Sequence, residues 1–127
     1  MKPLMKILVA YDGSAHAENA LGEAIDLTEK FKGSITVLYV AWEKPDDDSR
    51  VLLRNAEERL KKAGVKHTLR VERSNYPPRI LVRTAMDEAF DLITIGSRGM
   101  GGGKGWILGS VSSRVIEEAP CPVLVVK

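Results

Sequence analysis

The chain has 127 residues, a length that predicts one domain with its own core and no need for disulfides or a structural metal. Hydrophobic residues make up 44% of the chain and charged residues 28%, which excludes a disordered or collagen-like protein. With 19 basic and 17 acidic side chains, the net charge of +2 gives no reason to expect nucleic acid or an anionic membrane as a partner.

The first third of the chain alternates between apolar runs and an amphipathic segment. Met5–Tyr11 is an apolar run that ends in turn residues at 12–14, which predicts a strand covered on both faces. Ser14 is the expected N-cap of a helix whose apolar residues recur at three- and four-residue spacing until Gly33. Ser34–Ala41 is rich in β-branched residues and predicts a second strand.

The middle of the chain continues this alternation. Trp42–Asp48 contains a proline and three aspartates and predicts a loop, which a charged helix over 49–63 follows. The alternating run Val65–Glu72 predicts a half-exposed strand at or near an edge of the sheet. Pro77 and Pro78 suit the first turn of a third helix, which extends to Glu88.

The last third adds two strands, Asp91–Gly96 and Pro122–Val126, with a helix over Ser110–Glu118 between them. Because strands and helices alternate throughout, parallel strands joined by right-handed crossovers are the expected arrangement. The prediction is an α/β protein with an open five-stranded parallel sheet and helices on both faces. Ligands bind beyond the carboxyl ends of such strands, where the strand order reverses, and the turn at 12–14 and the loop after the fourth strand reach that place.

The loop after the fourth strand is the more informative of the two. Glycine lets backbone N–H groups approach an anion without a Cβ in the way, and the N-terminus of the helix that follows is a natural phosphate site. Ser110 and Ser112 can add hydroxyl donors, and Arg98 and Lys104 supply positive charge. The alternative is a mobile surface loop ahead of a capped helix. The glycines of this segment are Gly96, Gly99, Gly101, Gly102, Gly103, Gly105 and Gly109.

The common nucleotide motifs do not match. A P-loop requires Ser or Thr after Gly103-Lys104, but Gly105 stands there, and Arg98 occupies the position of the opening glycine. A dinucleotide-binding fingerprint should follow the first strand, where only Gly13 is found.

A wider spacing does match. Gly96, two residues, Gly99, nine residues and Gly109-Ser110 give the pattern G-x2-G-x9-G-[ST]. With this pattern, the opening ILVAYDGSAHAENAL and the ending GSVSSRVIEEAPCPVLVV, the chain resembles the ATP-binding branch of the universal stress protein family over nearly its whole length. The resemblance implies one such domain over residues 1–127, an adenine nucleotide alpha hydrolase-like fold and the strand order 3-2-1-4-5.

The resemblance further implies that ATP would lie across the first and fourth strands. Ala10, Tyr11 and Asp12 would line the base and ribose, and Asp12 would accept hydrogen bonds from ribose and adenine donors besides capping the helix that follows. Val40 would offer backbone groups to the adenine edge.

The other implied contacts cover the ribose and the phosphates. The ribose and α-phosphate would be covered by Ile95, Gly96, Arg98 and Gly99. The β- and γ-phosphates would be cradled by Gly109, Ser110, Val111 and Ser112. Extra glycine at 103 and 105 and a short stretch between the second strand and second helix depart from the family pattern, which could favour AMP or a weakly held nucleotide over ATP.

The function implied is a regulatory stress protein that binds ATP or AMP, with Mg²⁺ or Mn²⁺ held through the phosphates. No motif supplies a general base, so we expect no efficient catalysis. A slow Mg-dependent ATPase or phosphotransferase, and a dimeric interaction module without nucleotide, stay open as alternatives. The last strand would leave an apolar edge, which in relatives commonly pairs in a homodimer, and we expect the same here.

Two histidines and the cysteine are interpreted as structural residues, and the sequence also predicts where in the cell the protein is found. His16 and His67 are isolated and are interpreted as surface or helix-start residues, and Cys121, between two prolines, as a buried apolar filler. A single cysteine cannot form an intramolecular disulfide, and no apolar run approaches the roughly 20 residues that span a bilayer. The opening segment also lacks a small-residue cleavage site, so we expect a cytoplasmic protein.

Overall fold

Strands and helices alternate along the chain. The computed structural model describes residues 5–42, 47–98 and 109–127. The strands of this part are β1 (Lys6–Ala10), β2 (Ser34–Ala41), β3 (Lys66–Arg73), β4 (Leu92–Gly96) and β5 (Val123–Val126). The helices are α1 (Ala15–Phe31), α2 (Asp47–Ala63), α3 (Pro77–Asp87) and α4 (Ser110–Glu118).

The five strands form one parallel sheet in the order β3-β2-β1-β4-β5, which confirms the predicted fold and strand order. β3 lies at an edge, as its alternating pattern predicted. Ile7 of β1 is in register with Ile35 of β2 on one side and with Leu92 of β4 on the other. The order reverses at β1, so the crevice between the carboxyl ends of β1 and β4 is where a ligand is expected in such sheets.

Two apolar clusters cover the two faces of the sheet. Ile7 and Val9 of β1 pack with α1 and α2, whereas Leu8, between them in the sequence, packs with α3 and α4. All three side chains are fully buried. Burying each contributes about 1.5–3 kcal/mol, so the covering of both faces stabilises the sheet on which the crevice lies.

The connection between β1 and α1 has the predicted helix start. The Ser14 hydroxyl accepts a hydrogen bond from the Ala17 N–H at 3.2 Å and caps α1. The Asp12 carboxylate accepts the Ser14 N–H at 2.9 Å, which closes the turn. Gly13 has φ +80°, a backbone conformation that favours glycine, so the turn requires glycine at this position.

The predicted loop Trp42–Asp48 was wrong at its end. Helix α2 begins at Asp47, so Asp47 and Asp48 form its first turn, where the positive end of the helix dipole stabilises acidic side chains. Residues 43–46 of that loop lie outside the described part of the chain. Pro77 and Pro78 open α3 as predicted. Within the described ranges, no helix is both long enough and apolar enough to cross a membrane.

Candidate functional site

A pocket of about 440 Å³ opens between the carboxyl ends of β1 and β4. It is bounded by the ends of β1, β2 and β4 and by the first turns of α1, α3 and α4. The residues that line it are Ala10, Tyr11, Asp12, Ser14, Ala17, Leu38, Val40, Pro77, Leu81, Ile95, Gly96, Arg98, Gly109, Ser110, Val111 and Ser112.

The structure brings together eleven of the twelve residues that the resemblance implied as a nucleotide site. Gly99, the twelfth, lies outside the described residues, as do Lys104 and the glycines at 101–105. Ser14, in the turn at 12–14 that the sequence placed at this edge of the sheet, also lines the pocket, and so do Ala17, Leu38, Pro77 and Leu81, to which the sequence did not point. Only the position of Pro77, at the start of a helix on the carboxyl edge of the sheet, was a signal that could have revealed one of these.

One part of the pocket is apolar. Leu38 and Leu81 are almost fully buried, on β2 and α3, and form a wall with side chains from β1, β2 and β4. The apolar residues that line this part are Ala10, Leu38, Val40, Pro77, Leu81 and Ile95. Such a wall can hold a flat apolar ring, because burying its faces removes apolar area from water.

Tyr11 lines the pocket, and its hydroxyl is hydrogen-bonded to Glu18 of α1. The hydroxyl donates to Glu18 Oε1 at 2.8 Å, and Arg59 Nη1 donates to the same oxygen at 3.1 Å. Burial, followed by the hydrogen bond to Glu18, raises the pKa of Tyr11 far above its ordinary value. The ring can therefore contact a ligand, while the hydroxyl stays protonated and bound to Glu18.

The first turn of α4 forms another side of the pocket. Gly109 is the N-cap residue of α4, and no side chain there accepts a hydrogen bond from the helix. The first-turn amides of any helix lack an intrahelical acceptor. Here those amides belong to Ser110, Val111 and Ser112, and Arg98 lies at the same side of the pocket. Free amides, the helix dipole and a guanidinium together attract an anion such as phosphate.

The Ser112 hydroxyl is committed inside the protein, which corrects the expectation that it can act as a donor to phosphate. Ser112 is 2% exposed, and its hydroxyl shares its single proton between Ser97 O and Gly109 O, both at 3.0 Å. A contribution of Ser112 to anion binding would therefore come from its backbone N–H. The Ser110 side chain, in contrast, is exposed.

The model of the universal stress protein family matches residues 3–127 of this chain. The chain belongs to the universal stress protein family. A universal stress protein of Thermus aquaticus, in the QAH/OAS sulfhydrylase 3′ region, is 32% identical over 133 residues, covering 95% of this chain and 97% of that protein.

Solved structures of universal stress proteins share the fold. The hypothetical protein MJ0577 superimposes with a TM-score of 0.86 at 29% identity, covering 98% of this chain and 96% of that one. A universal stress protein in complex with cAMP gives a TM-score of 0.80 at 25% identity, covering 97% and 96% of the two chains. The five-stranded parallel sheet in the order β3-β2-β1-β4-β5 is thus the fold of this family.

Two glycines of the family pattern have different structural surroundings. A Cβ at Gly96 would lie 2.7 Å from His16 Cβ and 2.9 Å from Ala17 N, so α1 leaves no room for a side chain there. Gly109 has φ −66° and ψ 162°, which any residue adopts, and a Cβ would meet no atom of the described residues closer than 3.4 Å. Packing therefore explains Gly96, whereas neither the backbone conformation at position 109 nor the described residues around it require glycine there.

The residues interpreted as structural lie outside the pocket lining. His16 is at the start of α1, as predicted, and its Nδ1 lies 2.7 Å from Ser97 Oγ, a contact that the sequence did not reveal. His67 Nδ1 lies 2.7 Å from Val65 O. Cys121 is half-buried against the α3 and α4 cluster, and burial followed by the charge of Asp91 raises the pKa of its thiol. Within the described ranges, no group of three or more His, Cys, Asp or Glu side chains could hold a metal ion.

Proposed function

We propose that this universal stress protein is a regulatory protein that binds an adenine nucleotide, ATP or AMP, in the pocket between β1 and β4. The observation that carries the proposal is the composition of that pocket, which combines an apolar wall with the uncapped N-terminus of α4. A nucleotide has the same two parts, an apolar base and a phosphate chain. A related universal stress protein in complex with cAMP supports an adenine nucleotide as the ligand class.

The base and ribose would occupy the apolar part. The buried side chains of Leu38 and Leu81 would pack against the adenine ring, and the backbone of Val40, near the end of β2, would face its polar edge. Asp12 would accept hydrogen bonds from the ribose hydroxyls. Its Oδ1 accepts the Ser14 N–H at 2.9 Å, which holds the carboxylate at the pocket wall before a ligand arrives.

The phosphates would lie against the first turn of α4, beside Arg98. The glycine at position 109 supports this, because the backbone does not need it and a serine, asparagine or aspartate there would cap the helix at least as well. Glycine instead leaves the helix N-terminus accessible to an anion. Mg²⁺ or Mn²⁺ would be held chiefly by phosphate oxygens, because Asp12 is the single carboxylate among the described lining residues.

We propose binding and signalling rather than efficient turnover as the role of the nucleotide. The titratable side chains among the described lining residues are Tyr11, Asp12 and Arg98. Tyr11 stays protonated and bound to Glu18, and an arginine does not act as a base. Among the described lining residues, Asp12 is then the one candidate for activating a water, and it is also the residue assigned to the ribose.

Titration of nucleotide-free protein with ATP, AMP, cAMP and GTP tests the proposal. We expect saturable binding of the adenine nucleotides and much weaker binding of GTP. Gly109→Leu should abolish binding without loss of fold, since its side chain would enter the phosphate site. Ser113→Leu is the matched control, because Ser113 is exposed on the same helix and does not line the pocket. Normal binding by Gly109→Leu would show that the phosphate site is elsewhere.

We further propose that the chain, residues 1–127, acts as a single domain in the cytoplasmic stress response and forms a homodimer through β5. This strand is at the edge of the sheet, where its outer row of N–H and C=O groups faces away from β4. Leu124 on this strand is 37% exposed, and a second copy paired along the edge would cover it.

A further inference from the structure

Ser97, the first residue after β4, connects three elements of the fold. Its N–H donates to Val126 O on β5 at 2.7 Å. Its carbonyl accepts the Gly109 N–H at 2.7 Å and the Ser112 hydroxyl at 3.0 Å, and both donors belong to the start of α4. The place of the Ser97 carbonyl therefore determines where the first turn of α4, with its free amides, lies relative to the sheet.

The remaining polar group of Ser97, its hydroxyl, meets His16 of α1 across 81 positions of sequence. His16 Nδ1 lies 2.7 Å from Ser97 Oγ. The backbone of His16 has little freedom to move, since a Cβ on Gly96 would lie only 2.8 Å from the His16 carbonyl carbon. Ser97 is 9% exposed, so water is a poor substitute for the imidazole. His16, which lies on a firmly packed helix, thus holds the Ser97 side chain in place.

We propose that His16 is a positioning residue for the phosphate end of the pocket and acts through Ser97 on the first turn of α4. This inference rests on the proposed function and adds a residue to its site. Neither His16 nor Ser97 lines the pocket, so neither is expected to touch the nucleotide. Without the imidazole, the Ser97 hydroxyl loses this partner, and the carbonyl that holds Gly109 and Ser112 is no longer fixed.

The expected effect is confined to the phosphates. Amides that are already aligned bind an anion without losing conformational entropy. If α4 is less restrained, its first turn loses entropy when the anion binds, and the affinity falls. The apolar wall is built from side chains of β1, β2, β4 and α3, and His16 makes no described hydrogen bond to any of them, so base binding should not change. Adenosine, which has no phosphate, therefore distinguishes the two explanations. A positioning role weakens the binding of nucleotides but not of adenosine, whereas a general loss of structure weakens both.

The test measures the affinities of adenosine, AMP and ATP for the protein and for His16→Ala, His16→Asn and His67→Ala. His16→Ala should weaken AMP and ATP binding about five- to tenfold, the equivalent of one lost hydrogen bond, and change adenosine binding less than about twofold. His16→Asn should restore nucleotide binding, because its amide can take the position of Nδ1. His67→Ala is the matched control, since His67 lies on β3, contacts Val65 O and does not line the pocket.

If His16→Ala does not fold, His16→Gln replaces it, because its amide lies one methylene farther out and should fail where His16→Asn succeeds. Unchanged nucleotide affinity in His16→Ala, an equal loss for adenosine, or equal affinities for the Asn and Gln variants would each overturn the inference alone. Absence of nucleotide binding by the unsubstituted protein would overturn the proposed function and this inference together.

Discussion

The two motif glycines, Gly96 and Gly109, should respond in opposite ways to the same substitution, alanine. At position 96 the new methyl would lie 2.7 Å from His16 Cβ and 2.8 Å from its carbonyl carbon, distances that real side chains do not adopt. Either α1 or the end of β4 must move. Overpacking of this kind costs about 1–3 kcal/mol in the free energy of unfolding.

At position 109 the methyl has room. Its nearest neighbours in the described part of the chain would be Ser97 O at 3.4 Å and Arg98 Cα at 3.5 Å, which are ordinary contacts. Alanine restricts the unfolded chain and so stabilises by about 0.4–1 kcal/mol. It is also a poorer N-cap than glycine, by roughly 0.5–1 kcal/mol, and the two effects nearly cancel. The free energy of unfolding of Gly109→Ala should stay within about 1 kcal/mol of the unsubstituted value.

Urea denaturation followed by circular dichroism measures both variants without nucleotide. Gly96→Ala should lower the free energy of unfolding and reduce the melting temperature by roughly 4 °C per kcal/mol lost, while Gly109→Ala melts with the unsubstituted protein. The same Gly109→Ala protein should bind ATP more weakly. Equal destabilisation by the two substitutions, or a stable Gly96→Ala, would refute the assignment of one glycine to packing and the other to the ligand.

Further predictions concern buried polar groups and the sheet edge. Thr94→Val should raise the free energy of unfolding in urea by about 1 kcal/mol, since the fully buried Thr94 hydroxyl has no hydrogen-bond partner in the described ranges. Tyr11→Phe should leave nucleotide affinity unchanged in calorimetry. Because folding raises the pKa of Tyr11, its contribution to the free energy of unfolding is complete below about pH 10 and is progressively lost as the pH rises above it. The free energy of unfolding of Tyr11→Phe should therefore depend less on pH in the alkaline range. Light scattering should give twice the 14.0 kDa chain mass, and Leu124→Lys should give the monomer.

Hydrophobic periodicity was sufficient to predict the elements of the fold. β1 reads as one apolar run because Leu8 faces α3 and α4 while Ile7 and Val9 face α1 and α2. β3 alternates because it lies at an edge. The start of α2 was missed because Asp47 and Asp48 suit a loop and a helix N-terminus equally well. Strand order came from the family resemblance, since periodicity does not say which strands are neighbours.

The polar part of the pocket was visible in the sequence, whereas of the apolar part the resemblance implied Ala10, Val40 and Ile95 but not Leu38, Pro77 or Leu81. Glycine spacing and a helix start mark Gly109 and Ser110, because both features have a local cause. Leu81 belongs to an ordinary apolar stripe, and only the folded chain shows that it lies beside a pocket. The contact of His16 with Ser97 joins residues 81 positions apart, and no local pattern can reveal it.

The central claim is tested most directly by identifying what the purified protein carries. The protein is denatured, and the released small molecules are separated by chromatography and identified by mass spectrometry. We predict ATP or AMP, in an amount that falls when Gly109→Leu is purified in the same way. The absence of any nucleotide, together with no thermal shift on addition of ATP or AMP, would contradict the claim that the pocket between β1 and β4 binds an adenine nucleotide.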